Sequence, residues 1–149
     1  MIAPMTRIPP GTRADYHHFL PVTTRWMDND VFGHLNNVVY YSFFDTAVTH
    51  SLMRSGILTW KGSDHFLVVA ESGCRYHAEA AFPDDIAVGI RVARLGGSSI
   101  RHEIGVFADD NERASAEGFM VHVCVAAATR RPAPMPDAWR AALQPLMRS

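Results

Sequence analysis

The thirteen residues from Arg25 to Asn37 read Arg-Trp-Met-Asp-Asn-Asp-Val-Phe-Gly-His-Leu-Asn-Asn and form the densest polar cluster of the chain. Two carboxylates, Asp28 and Asp30, precede a glycine, a histidine and the two amides Asn36 and Asn37. Three chemistries compete for such a run. Asp28, Asp30 and Gly33 match positions 1, 3 and 6 of a calcium loop. Phe32 then falls at position 5, and Val39 stands where a bidentate Glu is required, so that reading fails. A transition-metal site from Asp30 and His34 lacks further ligands. The second reading is structural, because Asp, Asn and Gly also make turns and helix caps. The third is catalysis at a helix start. The first backbone N–H groups of a helix have no internal partner and carry its positive end. They can hold a developing oxyanion. A carboxylate a few residues upstream then serves as general base or nucleophile. That arrangement suits hydrolysis of an activated ester and needs no Ser-His-Asp triad; no GxSxG is present.

The elements that must position this run are legible on either side of it. Phe19, Leu20, Val22 and Trp26 mark a first strand over His18–Met27. Between Asn36 and Ser55 there is no Pro or Gly, and Tyr40, Phe43, Phe44, Ala47, Val48, Ser51 and Leu52 repeat at helical spacing. Val38, Val39 and Tyr41 widen the apolar face, which predicts a buried helix. Asn36 is the expected N-cap and Gly56 the expected stop. About 19 residues give a helix of roughly 29 Å.

After a loop over 57–64 the period changes to two. Ser72, Cys74, Tyr76, Ala78, Ala80 and Phe82 share one parity of a strand over Glu71–Phe82. Pro83-Asp84-Asp85, Gly96-Gly97-Ser98 and Asp109-Asp110-Asn111 read as turns between three further alternating strands. Pro132, Pro134 and Pro136 end the sheet before a short helix from Asp137. Tight turns join antiparallel strands, so a meander is expected. The fold class is α+β: one long central helix wrapped by a curved antiparallel sheet of about five strands, plus a short C-terminal helix.

At 149 residues the chain suits one domain. Residues 1–16, with three prolines, read as an N-terminal arm, and 17–149 as the single domain. With 48% hydrophobic and 19% charged residues, whole-chain disorder is excluded. A net charge of −1 provides no field for nucleic acid. Cys74 and Cys124 are far apart and form no CxxC, so neither a disulfide framework nor a zinc knuckle is indicated. The N-terminus has no apolar leader-like core, and no run approaches ~20 apolar residues. The expected compartment is the cytoplasm.

The string Asp28-x-Asp30-x-x-Gly33-His34-x-Asn36-Asn37-x-x-Tyr40, followed by Asp45, resembles the DxDxxGHxNNxxY signature of the 4-hydroxybenzoyl-CoA thioesterase-like hotdog family. The likeness extends to the strand after the helix, the Leu95–Ser99 turn and the Pro-rich stretch Arg131–Pro136. It implies the hotdog fold, at least a homodimer (a dimer or a dimer of dimers) with sites between subunits, and an acyl-CoA or acyl carrier protein thioester as substrate. It makes Asp30 the catalytic carboxylate and the Asn37 backbone N–H the group that polarises the carbonyl. Both roles coincide with the reading of the helix start.

The resemblance adds His34 as a further catalytic candidate, with a structural role equally open. Asn36, Tyr40, Arg94, Ser98, Ser99 and Arg130 are candidates for binding substrate and CoA. Asn36 also fits a cap, and Tyr40 a core position with its hydroxyl satisfied. Arginine suits phosphate recognition. Asp28 fits a loop-orienting role. No cofactor is implied, since CoA is part of the substrate, and no membrane or nucleic-acid partner is expected. A non-catalytic acyl-CoA-binding module and a hotdog-type enoyl-CoA hydratase or dehydratase are the alternatives.

Overall fold

A helix, α1, runs over Asn37–Arg54. Its N-cap is Asn36, whose side chain accepts from the Val38 N–H at 3.1 Å. Ser55 caps its other end, and Gly56 follows. The computed structural model describes residues 7–59 and 61–147; the first six residues of the expected arm lie outside them. Before α1 comes strand β1 (His18–Val22). After it come β2 (His65–Tyr76), β3 (Ile86–Leu95), β4 (Ser99–Ala108) and β5 (Ala116–Ala126), then a short helix, α2 (Asp137–Leu143). Among the described residues no helix is long and apolar enough to cross a membrane.

All strand pairings are antiparallel, and the sheet order is β1-β3-β4-β5-β2. The helix-period residues bury as expected: Tyr40, Phe43, Phe44, Ala47, Val48, Ser51 and Leu52 all face the sheet. They meet the inward parity of β3 (Ile86, Val88, Ile90, Val92) and of β4 (Ile100, Ile104, Val106) in one core. Phe44 is fully buried, and burying such a ring stabilises by roughly 2–3 kcal/mol. It fits because β5 carries Gly118 beneath it; a Cβ there would lie 2.3 Å from the ring.

Four expectations change. The first strand ends at Val22, not Met27, because Trp26–Asp28 turns into a 3-10 helix. The strand after α1 spans His65–Tyr76 rather than Glu71–Phe82. Its ladder stops where the His77 and Ala78 N–H groups both turn onto the Ser115 carbonyl (2.8 and 3.0 Å). The sheet is not a simple meander: β2 pairs with β5, and the segment 77–85 crosses to β3 at the far side of β4. Finally, α1 is not covered all round, since Val38 and Tyr41 stay exposed. Ahead of β1, Thr12 bridges to Arg113, and Tyr16 is buried against Phe107.

Candidate active site

The run 25–37 folds as two nested turns ahead of α1. Asp28 closes the first. Its carboxylate accepts from the Arg25 N–H (2.8 Å) and from the Arg25 guanidinium (2.8 and 3.1 Å). Burial pushes the Asp28 carboxyl up, and the bonds from Arg25 outweigh it, so the group titrates below its usual range. The Asp28 carbonyl then accepts from the Asn36 N–H at 2.8 Å, which ties the turn to the helix cap. Asp28 is therefore a buried loop-orienting residue.

Asp30 builds the second turn. Its N–H donates to the His34 carbonyl (2.8 Å), and its carbonyl accepts from the Gly33 N–H (3.1 Å). Gly33 adopts φ 80°, a left-handed conformation that favours glycine. The Asp30 Oδ1 accepts from the Phe32 N–H at 2.9 Å. The carboxylate is thus oriented by the backbone of its own turn and is only half-buried.

Asn37 is the first residue of α1, and among the described residues nothing accepts from its N–H. Such a group points out of the helix end with the macrodipole behind it, equivalent to roughly half a positive charge. Its carbonyl accepts from the Tyr76 hydroxyl at 2.9 Å. A free N–H at a helix start can hold a carbonyl oxygen as it gains charge, and Asp30 lies upstream on the loop that leads into this helix. Tyr40 is buried with its ring edge-on to Tyr76 (5.2 Å). Burial, then Cys74 and Asp84, push its hydroxyl up to about 12. The expected partner for that hydroxyl does not exist among the described residues.

A second segment braces the site, one that sequence reasoning assigned to a strand. Ala80 accepts from the Leu35 N–H (2.7 Å), and Phe82 donates to Asn29 Oδ1 (2.9 Å). Phe82 also sets its ring edge against Trp26 (6.2 Å). This brings Glu79 Oε2 to 3.1 Å from His34 Nε2. Nothing in the local sequence signals that pairing, because a period-two reading places Glu79 on a solvent face.

The structure does not bring Arg94, Ser98, Ser99 and Arg130 to this end of the same chain. The helix start lies by Tyr76, which registers with Ala116; Ser99 registers with Val123. Seven residues of β5 separate those rows, roughly 23 Å. Arg94 is exposed on β3, and Arg130 lies over the Phe66 ring at 5.3 Å with φ 57°. Among the described residues no group of three or more His, Cys, Asp or Glu is placed to hold a metal ion.

Comparison with known proteins agrees with this architecture. PA5185 of Pseudomonas aeruginosa strain PAO1 is 45% identical, with a TM-score of 0.89 over 95% of this chain and 99% of that one. A thioesterase of Thermus thermophilus, solved with coenzyme A and Zn, is 30% identical, with a TM-score of 0.74 over 89% and 95% of the two chains. The uncharacterized protein YsmA of Bacillus subtilis (strain 168) is 22% identical over 94 residues, 62% of this chain and 63% of that relative's length. The family model of the thioesterase-like superfamily matches residues 22–143. That match spans most of the sequence, including both turns of the site, α1 and the strands β2 to β5, and the chain belongs to the thioesterase-like superfamily with its hotdog fold.

Proposed function

We propose that this protein hydrolyses an acyl-CoA thioester to a free carboxylic acid and CoA. The observation that carries the reading is the pairing of a backbone-oriented Asp30 with the unpartnered Asn37 N–H at the α1 start. Asp30 activates a water, or attacks the carbonyl carbon itself to give a mixed anhydride that water opens. The Asn37 N–H holds the thioester oxygen as it gains charge. Family membership supports a thioester hydrolase, and the CoA bound to the Thermus relative supports CoA as the thiol.

The site is completed by a second copy of the chain. β2 is an edge strand of twelve residues with Val68, Val69 and Tyr76 exposed. Antiparallel pairing of two such edges carries the Tyr76 end of one copy toward the His65 end of the other. The second copy's Ser98, Ser99, Arg94 and Arg130 then supply what the chain's own residues, about 23 Å away, do not. Arginines there meet CoA phosphates. A cytoplasmic location belongs to the same reading, with both Cys74 and Cys124 free thiols.

The test is thiol release from a panel of acyl-CoAs by the wild type and by Asp30→Asn. Turnover by the variant should fall about 10²- to 10⁴-fold, the range for losing a general base, with an unchanged melting temperature. Near-wild-type hydrolysis by Asp30→Asn would sink the assignment. Loss of the enoyl-CoA absorbance in the same panel would instead favour a hydratase.

A further inference from the structure

His34 and Glu79 face each other across two segments that are held in place independently. His34 belongs to the turn closed by the Asp30 N–H on its carbonyl. Glu79 sits between Ala78, whose N–H is on Ser115, and Ala80, whose carbonyl takes the Leu35 N–H. Ala80 is buried, and Phe82 is fixed by Asn29 and Trp26. The Nε2–Oε2 distance of 3.1 Å is therefore set by two anchored backbones. The side chains are 41% and 76% exposed, and ion pairs so exposed add little to stability. A structural reason for the pair is weak. A chemical one is stronger, because a carboxylate on one imidazole nitrogen fixes the orientation of the ring and the tautomer with Nε2–H toward the carboxylate. His34 Nδ1 makes no hydrogen bond among the described residues, so it is open to an incoming group.

We propose that Glu79 is a positioning residue that holds His34 as the acid protonating the departing thiolate. The proposal rests on the thioesterase reading above. In the general-base route, Asp30 takes a proton from water as its oxygen adds to the carbonyl carbon. The tetrahedral intermediate then collapses, the C–S bond breaks, and its electron pair goes to sulfur. Sulfur takes the Nδ1 proton of His34, leaving a neutral imidazole with Nε2–H on Glu79. Solvent returns the proton from Asp30 to His34. One water is consumed, and one carboxylic acid and one thiol are formed. If Asp30 attacks directly, the sulfur step is the same.

An acidic thiol leaves without help, and an alkyl thiol does not; this difference separates chemistry from scaffolding. Turnover is measured on benzoyl-CoA and acetyl-CoA, and on the matching 4-nitrothiophenyl esters, for wild type, Glu79→Gln, His34→Gln and Asp30→Asn. Glu79→Gln and His34→Gln should slow the CoA esters on the order of 10²-fold and the nitrothiophenyl esters only roughly twofold. Asp30→Asn should slow both classes alike. Equal losses on both ester classes in Glu79→Gln overturn the proposal, as does a Glu79→Gln enzyme with wild-type turnover of CoA esters. A wild type inert toward every ester overturns the thioesterase reading itself. An active wild type with uniform losses removes only the role of Glu79 and His34.

Discussion

The two edges of the sheet are built differently. β1 is five residues long, holds Pro21 and packs its partly buried Leu20 and Val22 onto the core. A proline donates no ladder hydrogen bond, and a short edge offers little to pair with. β2 is twelve residues long, contains no proline and leaves Val68, Val69 and Tyr76 exposed. Long apolar edges invite another strand. The contrast teaches that one edge offers little to pair with and the other is open, which is the edge the proposed pairing with a second copy uses. The open edge is also the one beside the helix start, where Tyr76 holds the Asn37 carbonyl. The exposed apolar side chains of the site loop, Trp26, Val31 and Phe32, lie near the same end.

Three experiments bear on that contrast. The largest effect is expected from a charge on the open edge. Val69→Lys should yield monomers in size-exclusion chromatography with light scattering, and turnover should fall on the order of 10²-fold as the second copy's groups are misplaced. Pro21→Lys on the closed edge should change neither mass nor turnover. Dimers from Val69→Lys, or monomers from Pro21→Lys, would break the comparison.

A second effect lies between the edges. His102 on β4 is fully buried with both ring nitrogens unpartnered, and its ring stands 6.0 Å from His122 on β5. Burial, then the charge of His122, push His102 from its ordinary 6.5 down to about 3. The unfolded chain takes up this proton near pH 6.5, and the folded chain only near pH 3. Stability from this residue is therefore full above pH 6.5 and is lost as pH falls toward 3. At about pH 5 the loss is roughly 2 kcal/mol, at 1.36 kcal/mol per pH unit. Burial lowers His122 as well, and Asp45 works against that shift. Urea melts at pH 7 and pH 5 should show a smaller acid loss in His102→Leu than in wild type. Identical losses would remove the buried histidine as the cause.

The smallest effect sharpens the role of the far end of the sheet. Arg94→Ala and Arg130→Ala should each raise KM for an acyl-CoA about tenfold, roughly 1.4 kcal/mol, with kcat nearly unchanged. The same variants should hydrolyse an acyl-pantetheine ester, which lacks the nucleotide phosphates, as wild type does. A KM that rises equally for both esters would argue against phosphate recognition.

What was legible in the sequence came from local physics. The apolar spacing from Tyr40 to Leu52 identified α1 and its buried face. Asn36 and Gly56 marked its limits, because unsatisfied helix ends demand particular residues. Alternation identified the inward faces of β3 and β4. The order Asp30, Gly33, His34, Asn37 put a carboxylate just before a helix start, and chain connectivity alone keeps those residues close.

Tertiary structure decided the relations that connectivity leaves open. Period two says which residues share a face of β2, and nothing about which strand lies beside it; pairing with β5 instead of β3 left β2 as the open edge. The Glu79 carboxylate meets His34 only because the segment after β2 folds back onto the site loop through Ala80 and Phe82. Arg94, Ser98, Ser99 and Arg130 were candidates for binding CoA, and sheet register sets them at the other end of the sheet from the site loop. Hydrogen bonds between segments distant in sequence fix those distances, and no local pattern encodes them.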